Sequence, residues 1–286
     1  EYTPTDTYFR ALAVGVLNTL KVAFIGCILA TILGTMAGIA RLSNNWLLAK
    51  IASVYVEVSR ALPLLPQLLF WYTIFTALPG PRQAMHPVDG IFLSNRGLKF
   101  PLLEWQGAHW LALVLFLAGL AATILYSRRA GVVQAATGVR PKVWPVAVGG
   151  MVVLPVLGWL VMGAPFTWEA PALRGFNFQG GGSFSPEFMT LLIGLTTYTG
   201  AFVAEIVRAG ILSVHTGQSE AAGALGLSRG QTLRLIVLPQ SLRVIIPPLT
   251  SQYLNLTKNS SLAVAIGYPD LVSVANTAIN QTGQAV

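Results

Sequence analysis

The chain has 286 residues, of which 54% are hydrophobic and only 10% charged, whereas soluble domains carry about 25% charged residues. The apolar content excludes a disordered chain, and the single cysteine, Cys27, excludes a disulfide scaffold. Its 18 Lys and Arg against 10 Asp and Glu leave a formal charge of +8, which is either a nucleic-acid patch or a topology signal in a membrane protein.

Five runs free of Asp, Glu, Lys and Arg decide the class: 22–40, 61–81, 105–127, 143–168 and 188–204. Each is close to the ~20 apolar residues that cross ~30 Å of hydrocarbon. Residues 8–20 read as an amphipathic lead-in to the first run, with Lys21 snorkelling to the outer interface. No basic segment precedes 22–40, so it is not a secretory signal. Residues 49–78 read as one long helix bent near Pro63 and Pro66, with Glu57 and Arg60 paired at i, i+3. A Pro- and Gly-rich loop covers 79–104. Helices 105–127 and 143–163 form a hairpin around a basic turn. A second outer loop, 164–187, contains Gly180-Gly181-Gly182; no Gly-Lys follows, so it is a flexible connection rather than a phosphate loop. Helix 188–212 leads into a polar segment, 213–240. Then come helix 241–257, a break at Lys258–Ser261, and a weakly apolar helix, 270–286. Residue 1 is Glu and the chain stops in a polar segment, so the expectation is truncation at both ends.

When the spans are made to alternate, the whole +8 falls on one side. The turn with Arg128, Arg129, Arg140 and Lys142 contributes most. Basic residues on the other side are balanced by acids that include Glu1, Asp6 and Asp270. The positive-inside rule makes the basic side cytoplasmic. Basic residues at the ends of apolar spans do not form the face a nucleic acid needs.

Catalytic chemistry is missing from the pattern. His86, His109 and His215 are scattered, no metal-ligand spacing occurs, and the carboxylates sit mostly at span ends. Neither catalytic nor metal residues are assigned. Glu205 and Arg208 read as a structural pair near the cytoplasmic end of helix 188–212.

The 213–240 segment has a definite physical shape. Gln218 or Ser219 precedes a short helix, Gly226 can end it in a left-handed cap, Ser228 can cap the next helix, and Pro239 breaks that helix. A short, small-residue helix tied to two spans suits docking into a groove on another protein. From the residues alone it is equally an ordinary alanine-rich loop. The spacing Glu220-Ala221-Ala222, Gly226, Ile236, Leu238, Pro239 resembles the EAA loop of ABC importer permeases at all these positions. Three further segments resemble the polar amino-acid branch of that family: Tyr198–Ile211, Pro247–Ala263 and Tyr55–Leu68. The long 79–187 insertion with two extra spans is similar to the larger permeases for general or acidic/amide L-amino acids.

The resemblance implies an all-α, polytopic helical membrane protein. Its fold would be the type I ABC importer transmembrane fold with an inserted helical hairpin. Residues 1–286 form the permease domain, 79–187 the insertion, and 213–240 the ATPase-coupling loop. It implies a bacterial inner-membrane subunit for L-amino acids that is no enzyme itself and binds no cofactor, with ATP and Mg carried by partner subunits. The implied partners are a second related permease chain in a heterodimer, two ABC ATPases, a periplasmic amino-acid-binding protein and the lipid bilayer. Lys258, Asn259, Ser260 and Ser261 either line the pathway or its outer gate, or bond broken backbone between helices. The other class compatible with the spans is a secondary transporter, which would ignore ATPase partners.

Overall fold

A computed structural model describes residues 7–283. Glu1 and Asp6, counted above on the outer side, lie outside the described residues, as do positions 284–286 of the expected last helix. In chain order the helices are α1 (Tyr8–Ala40), α2 (Trp46–Ala61), α3 (Leu64–Thr76), α4 (Gly107–Thr137), α5 (Trp144–Val148), α6 (Leu154–Val161), α7 (Pro186–Leu212), α8 (Thr216–Ala224), α9 (Arg229–Thr232), α10 (Leu238–Asn259) and α11 (Leu271–Thr282). Short strands lie in the two long loops: β1 (Met85–Val88), β2 (Ile91–Ser94), β3 (Gly97–Phe100), β4 (Leu102–Leu103), β5 (Trp168–Glu169), β6 (Ala172–Arg174), β7 (Asn177–Gln179) and β8 (Gly182–Phe184). The described residues divide into two compact units, one of 7–85, 93–98 and 184–283, the other of 86–92 and 99–183.

Among the described residues, five helical stretches are long and apolar enough to span a membrane: Tyr8–Ala40, Gly107–Thr137, Trp144–Val161, Pro186–Leu212 and Arg229–Ile266. Four match the expected runs. Of the expected 61–81 run, the helical part is α3, an apolar helix of 13 residues that is shorter than the other four. Leu62 and Pro63 are both extended, with ψ of 132° and 147°, so the predicted bend is a full break between α2 and α3. Proline disfavours helical geometry in the residue before it. Gln67 Nε2 then donates to Ser59 O at 2.9 Å and Leu62 O at 3.0 Å, satisfying carbonyls that the break frees.

In the larger unit α1 packs along α7. The lead-in and the first apolar run are one helix of 33 residues, about 50 Å long at ~1.5 Å per residue. Gly26, Ala30, Gly34 and Gly38 recur every fourth residue on its buried face. A Cβ on Gly34 would lie 2.6 Å from Gly200 O, and one on Gly38 2.7 Å from Ala204 O. The two backbones therefore nearly touch, the packing that small residues permit where lipid removes the hydrophobic drive between helices. Val22, Leu68, Leu191, Leu195 and Leu256 complete a core with no exposure. Lys21 does not snorkel freely: its Nζ lies 4.7 Å from the ring centroid of Phe188 and 5.3 Å from that of Phe184. At the far end of the chain, Asp270 caps α11 by accepting from Ser273 N at 2.8 Å. Leu271 N donates to Thr19 Oγ1 at 3.1 Å, which anchors α11 to α1.

The smaller unit is the hairpin of α4 against α5 and α6, which a π turn, Gly149–Val153, joins. Gly119 packs directly on the backbone of Gly150. The segments read as loops, 79–104 and 164–187, carry short strands. β4 pairs with β5 (Leu102 opposite Glu169), joining the two ends of the hairpin. β6 pairs with β7 (Leu173 opposite Phe178). Gly180 and Gly181 have φ of +79° and +65°, and a Cβ on Gly181 would lie 2.6 Å from Phe100 O. The triple glycine is thus a packed turn rather than a loose connection.

Candidate functional site

Three features of the larger unit stand out. The first is the segment between α7 and α10. Helix α8 begins at Thr216, capped by His215, whose Nδ1 accepts from Gly217 N at 3.2 Å. It starts earlier than Gln218 or Ser219 would place it, because a histidine ring can supply the capping acceptor. Its end is a Schellman motif: Leu227 N donates to Ala222 O at 3.1 Å and Gly226 N to Gly223 O at 2.9 Å. Gly226 takes φ +76° with nothing within 4 Å of a would-be Cβ. Glycine is needed there for conformation, not for space. Ser228 and Gln231 form a reciprocal capping box at the start of α9.

Pro239 does not break the helix as expected. A π turn, Leu233–Val237, carries α9 into α10, and Leu238 N donates to Leu233 O across it. Proline has no N–H for the carbonyl four residues back and its ring crowds that carbonyl. The wider turn relieves both problems, and Pro155 after the π turn of the hairpin uses the same device.

Ala222 is fully buried, while Glu220, Ala221, Gly223 and Ala224 are exposed. Leu238 and Pro239 are exposed and Ile236 half-buried. Leu225, a position outside the spacing pattern, projects at the tip with 80% exposure. A recess of about 390 Å³ lies beside α8, lined by Ile211, Val214, Thr216, Ser219, Glu220 and Val237. The result is a rigid, small-faced protrusion with one carboxylate and one leucine.

The second feature is a charge cluster. Glu205 and Arg208 do pair, at 2.5 Å. Glu205 also holds Arg41 at the end of α1 and lies 3.8 Å from Arg60 near the end of α2. One carboxylate thus gathers three guanidiniums from three helices. Arg41 Nε adds a bond to Ser53 Oγ at 3.3 Å, and Tyr55 Oη donates to Thr197 O at 2.7 Å. Among the described residues no ion pair joins Glu57 to Arg60. Arg60 faces Glu205 and the ring of Phe202 instead. Arg41 and Arg60 are the partners the sequence pattern missed. The signal available was three arginines at or near helix ends beside one partly buried glutamate.

The third is a polar pocket of about 170 Å³ between α7 and α10, lined by Tyr198, Thr199, Phe202, Gln252, Asn255 and Asn259. Of the four residues singled out at the end of α10, Asn259 reaches this pocket. Lys258 is exposed. Ser260 Oγ donates to Thr257 O and Ser261 Oγ to Lys258 O, each at 2.7 Å. The segment is not broken: α10 passes into a 3-10 turn, Ser260–Ile266, and these serines satisfy carbonyls at the changeover.

Residues 145–283 match the family described as the binding-protein-dependent transport system inner membrane component. The chain is 50% identical, over all of its length and 72% of the relative's, to the general L-amino acid transport system permease protein AapQ of Rhizobium johnstonii. It is 43% identical, over 99% of its length and 74% of the relative's, to the glutamate/glutamine/aspartate/asparagine transport system permease protein BztB of Rhodobacter capsulatus. A crystal structure of an amino acid ABC transporter with histidines shares the fold, with a TM-score of 0.53 and 20% identity over 97% of this chain and 81% of that one.

Proposed function

The chain belongs to the permeases of amino-acid ABC transporters, the binding-protein-dependent inner membrane components, and from this premise we propose that it forms half of a pathway for L-amino acids and is driven through α8 by a cytoplasmic ATPase. The observation that carries the coupling is the build of α8. A Schellman cap ends it, a capping box restarts the chain, and a continuous π-to-α helix leaves it for the membrane. Such an element moves as a body, so displacement at its tip passes to α7 and α10.

The second half of the pathway is a related permease chain in a heterodimer. Two ABC ATPases carry ATP and Mg and do the hydrolysis, and a periplasmic amino-acid-binding protein delivers the substrate. Glu220, Ala221, Ala222 and Gly226 form the docking helix, with Leu225 as its knob in the ATPase groove. Ile236, Leu238 and Pro239 link it to α10. A cation on the ATPase meets Glu220 at the recess beside α8. Closure of the ATPases on ATP moves this lever and switches access to the pathway from one side to the other.

The polar pocket, of about 170 Å³, is the place where a small zwitterion fits. Asn259 contributes an amide to it, and Lys258, its neighbour in sequence, is exposed. Ser260 and Ser261 act through the backbone that carries Asn259. The test is co-purification of the permease pair with its ATPase. Glu220→Lys and Gly226→Leu are expected to lose the ATPase while the permease pair stays together. Retention of the ATPase by both variants rejects the docking assignment.

A further inference from the structure

The polar pocket offers hydroxyls from Tyr198 and Thr199 and amides from Gln252, Asn255 and Asn259, but no formal charge. An amino acid brings an ammonium, from which the hydroxyl and carbonyl oxygens can accept, and a carboxylate, to which the hydroxyls and amide NH2 groups can donate but whose charge no residue of the lining balances. Hydrogen bonds with an ionised donor or acceptor are roughly twice as strong as neutral ones, and a guanidinium on a carboxylate has both partners ionised. Two rings, Tyr198 and Phe202, line the pocket, and a cation stands against the second. The guanidinium carbon of Arg60 lies 5.3 Å from the centroid of the Phe202 ring.

Arg60 is also the loosest of the three arginines on Glu205. Arg41 and Arg208 bond the carboxylate directly, whereas Arg60 Nη1 stays at 3.8 Å. The side chain of Arg60 is 43% exposed, against 14% for Arg41 and 31% for Arg208. If Arg60 turns away, Glu205 keeps two partners. The backbone beneath Arg60 is fixed, because Gln67 ties Ser59 and Leu62 together. The side chain can therefore swing on a firm base, and its planar fork matches a carboxylate in two parallel bonds.

Resting on the reading of the chain as an amino-acid pathway, we propose that Arg60 is the cation that receives the carboxylate of the translocating amino acid at the Phe202 end of the polar pocket. It exchanges Glu205 for the substrate. Arg60 is not among the residues that line the pocket, and it meets the lining through the Phe202 ring. Lys258, next in sequence to Asn259, is exposed and is not among the residues that line the pocket.

The test uses the full complex with its binding protein in proteoliposomes. Uptake of radiolabelled L-glutamine, L-glutamate or L-leucine is measured together with ATP hydrolysis. In R60Q the amino acid moved per ATP is expected to fall about tenfold, with hydrolysis stimulated by the loaded binding protein kept within about twofold. R60K, which keeps the charge but not the fork, is expected to fall between R60Q and wild type. Should R60Q fail to assemble, R60K decides: a lowered ratio with hydrolysis intact supports the proposal, and an unchanged ratio or loss of both overturns it. An unchanged ratio in R60Q overturns it, as does a K258Q variant that loses the ratio while R60Q keeps it. No uptake by the wild-type complex of any of the three amino acids overturns the pathway reading itself, a result distinct from wild-type uptake that R60Q leaves intact.

Discussion

Helix α7 and the inserted hairpin are both apolar enough to span a membrane, yet they are packed in opposite ways. In its most apolar stretch 61% of α7 is buried, against 11% in α4 and 6% in Trp144–Val161. The hairpin helices are the more hydrophobic of the two. Hydrophobicity therefore tells which segments enter the bilayer and not which segments pack, since lipid is as apolar as leucine. What separates them is the small-residue stripe of α1 against α7 and the polar atoms that cross between helices. Tyr55 on Thr197 and three arginines on Glu205 are the examples.

The sharpest break of this comparison is a side chain in the α1–α7 seam. Gly34→Leu has no space even for its Cβ, 2.5 Å from the Cβ of Val203, and overpacking of this kind costs ~3 kcal/mol or more. It should abolish a monodisperse permease peak in detergent. Glu205→Ala ranks next. It leaves Arg41, Arg60 and Arg208 facing one another. Breaking a buried pair costs about 3–5 kcal/mol, and the partial exposure of this cluster reduces that to about 2 kcal/mol. Thermal unfolding should show the loss, and Arg41→Gln added to Glu205→Ala should cost less than the sum of the two.

A smaller effect belongs at Gly226. Gly226→Ala costs about 1–2 kcal/mol for a left-handed alanine. It should lower ATPase retention while leaving the unfolding of the bundle unchanged. The smallest belongs in the hairpin. Leu117→Ala and Leu125→Ala, at positions 52% and 62% exposed, should stay within about 0.5 kcal/mol of the parent. A loss in the hairpin as large as that at Gly34 would erase the distinction between the two regions.

Much of this was legible in the sequence, for local reasons. Gly226 and Ser228 are cap residues whose geometry depends only on neighbours a few positions away, and both cap as predicted. Four of the apolar runs became spanning helices because length and composition are sufficient for that. The rest depended on distant partners. Arg41 lies 164 positions from Glu205, and no local spacing announces that pairing. The polar pocket is made only when Tyr198 and Phe202 on α7 meet Asn255 and Asn259 on α10. Pro239 misled in the other direction. Read alone it stops a helix, but a π turn preceding it keeps the helix whole. The strands of the outer loops carry too few residues each to show an alternating pattern, so 79–104 and 164–187 read as loops.

The central claim is that this chain moves amino acids only when an ATPase works on the short helix Thr216–Ala224. The direct measurement is uptake of radiolabelled L-amino acids into proteoliposomes holding the permease pair and its binding protein, with and without the ATPase and with Glu220→Lys in place of the parent. Uptake that requires the ATPase and ATP, and that the Glu220→Lys variant loses, is the predicted result. Uptake by the permease chains alone, driven by an ion gradient and indifferent to Glu220→Lys, would contradict it and make the protein a secondary transporter.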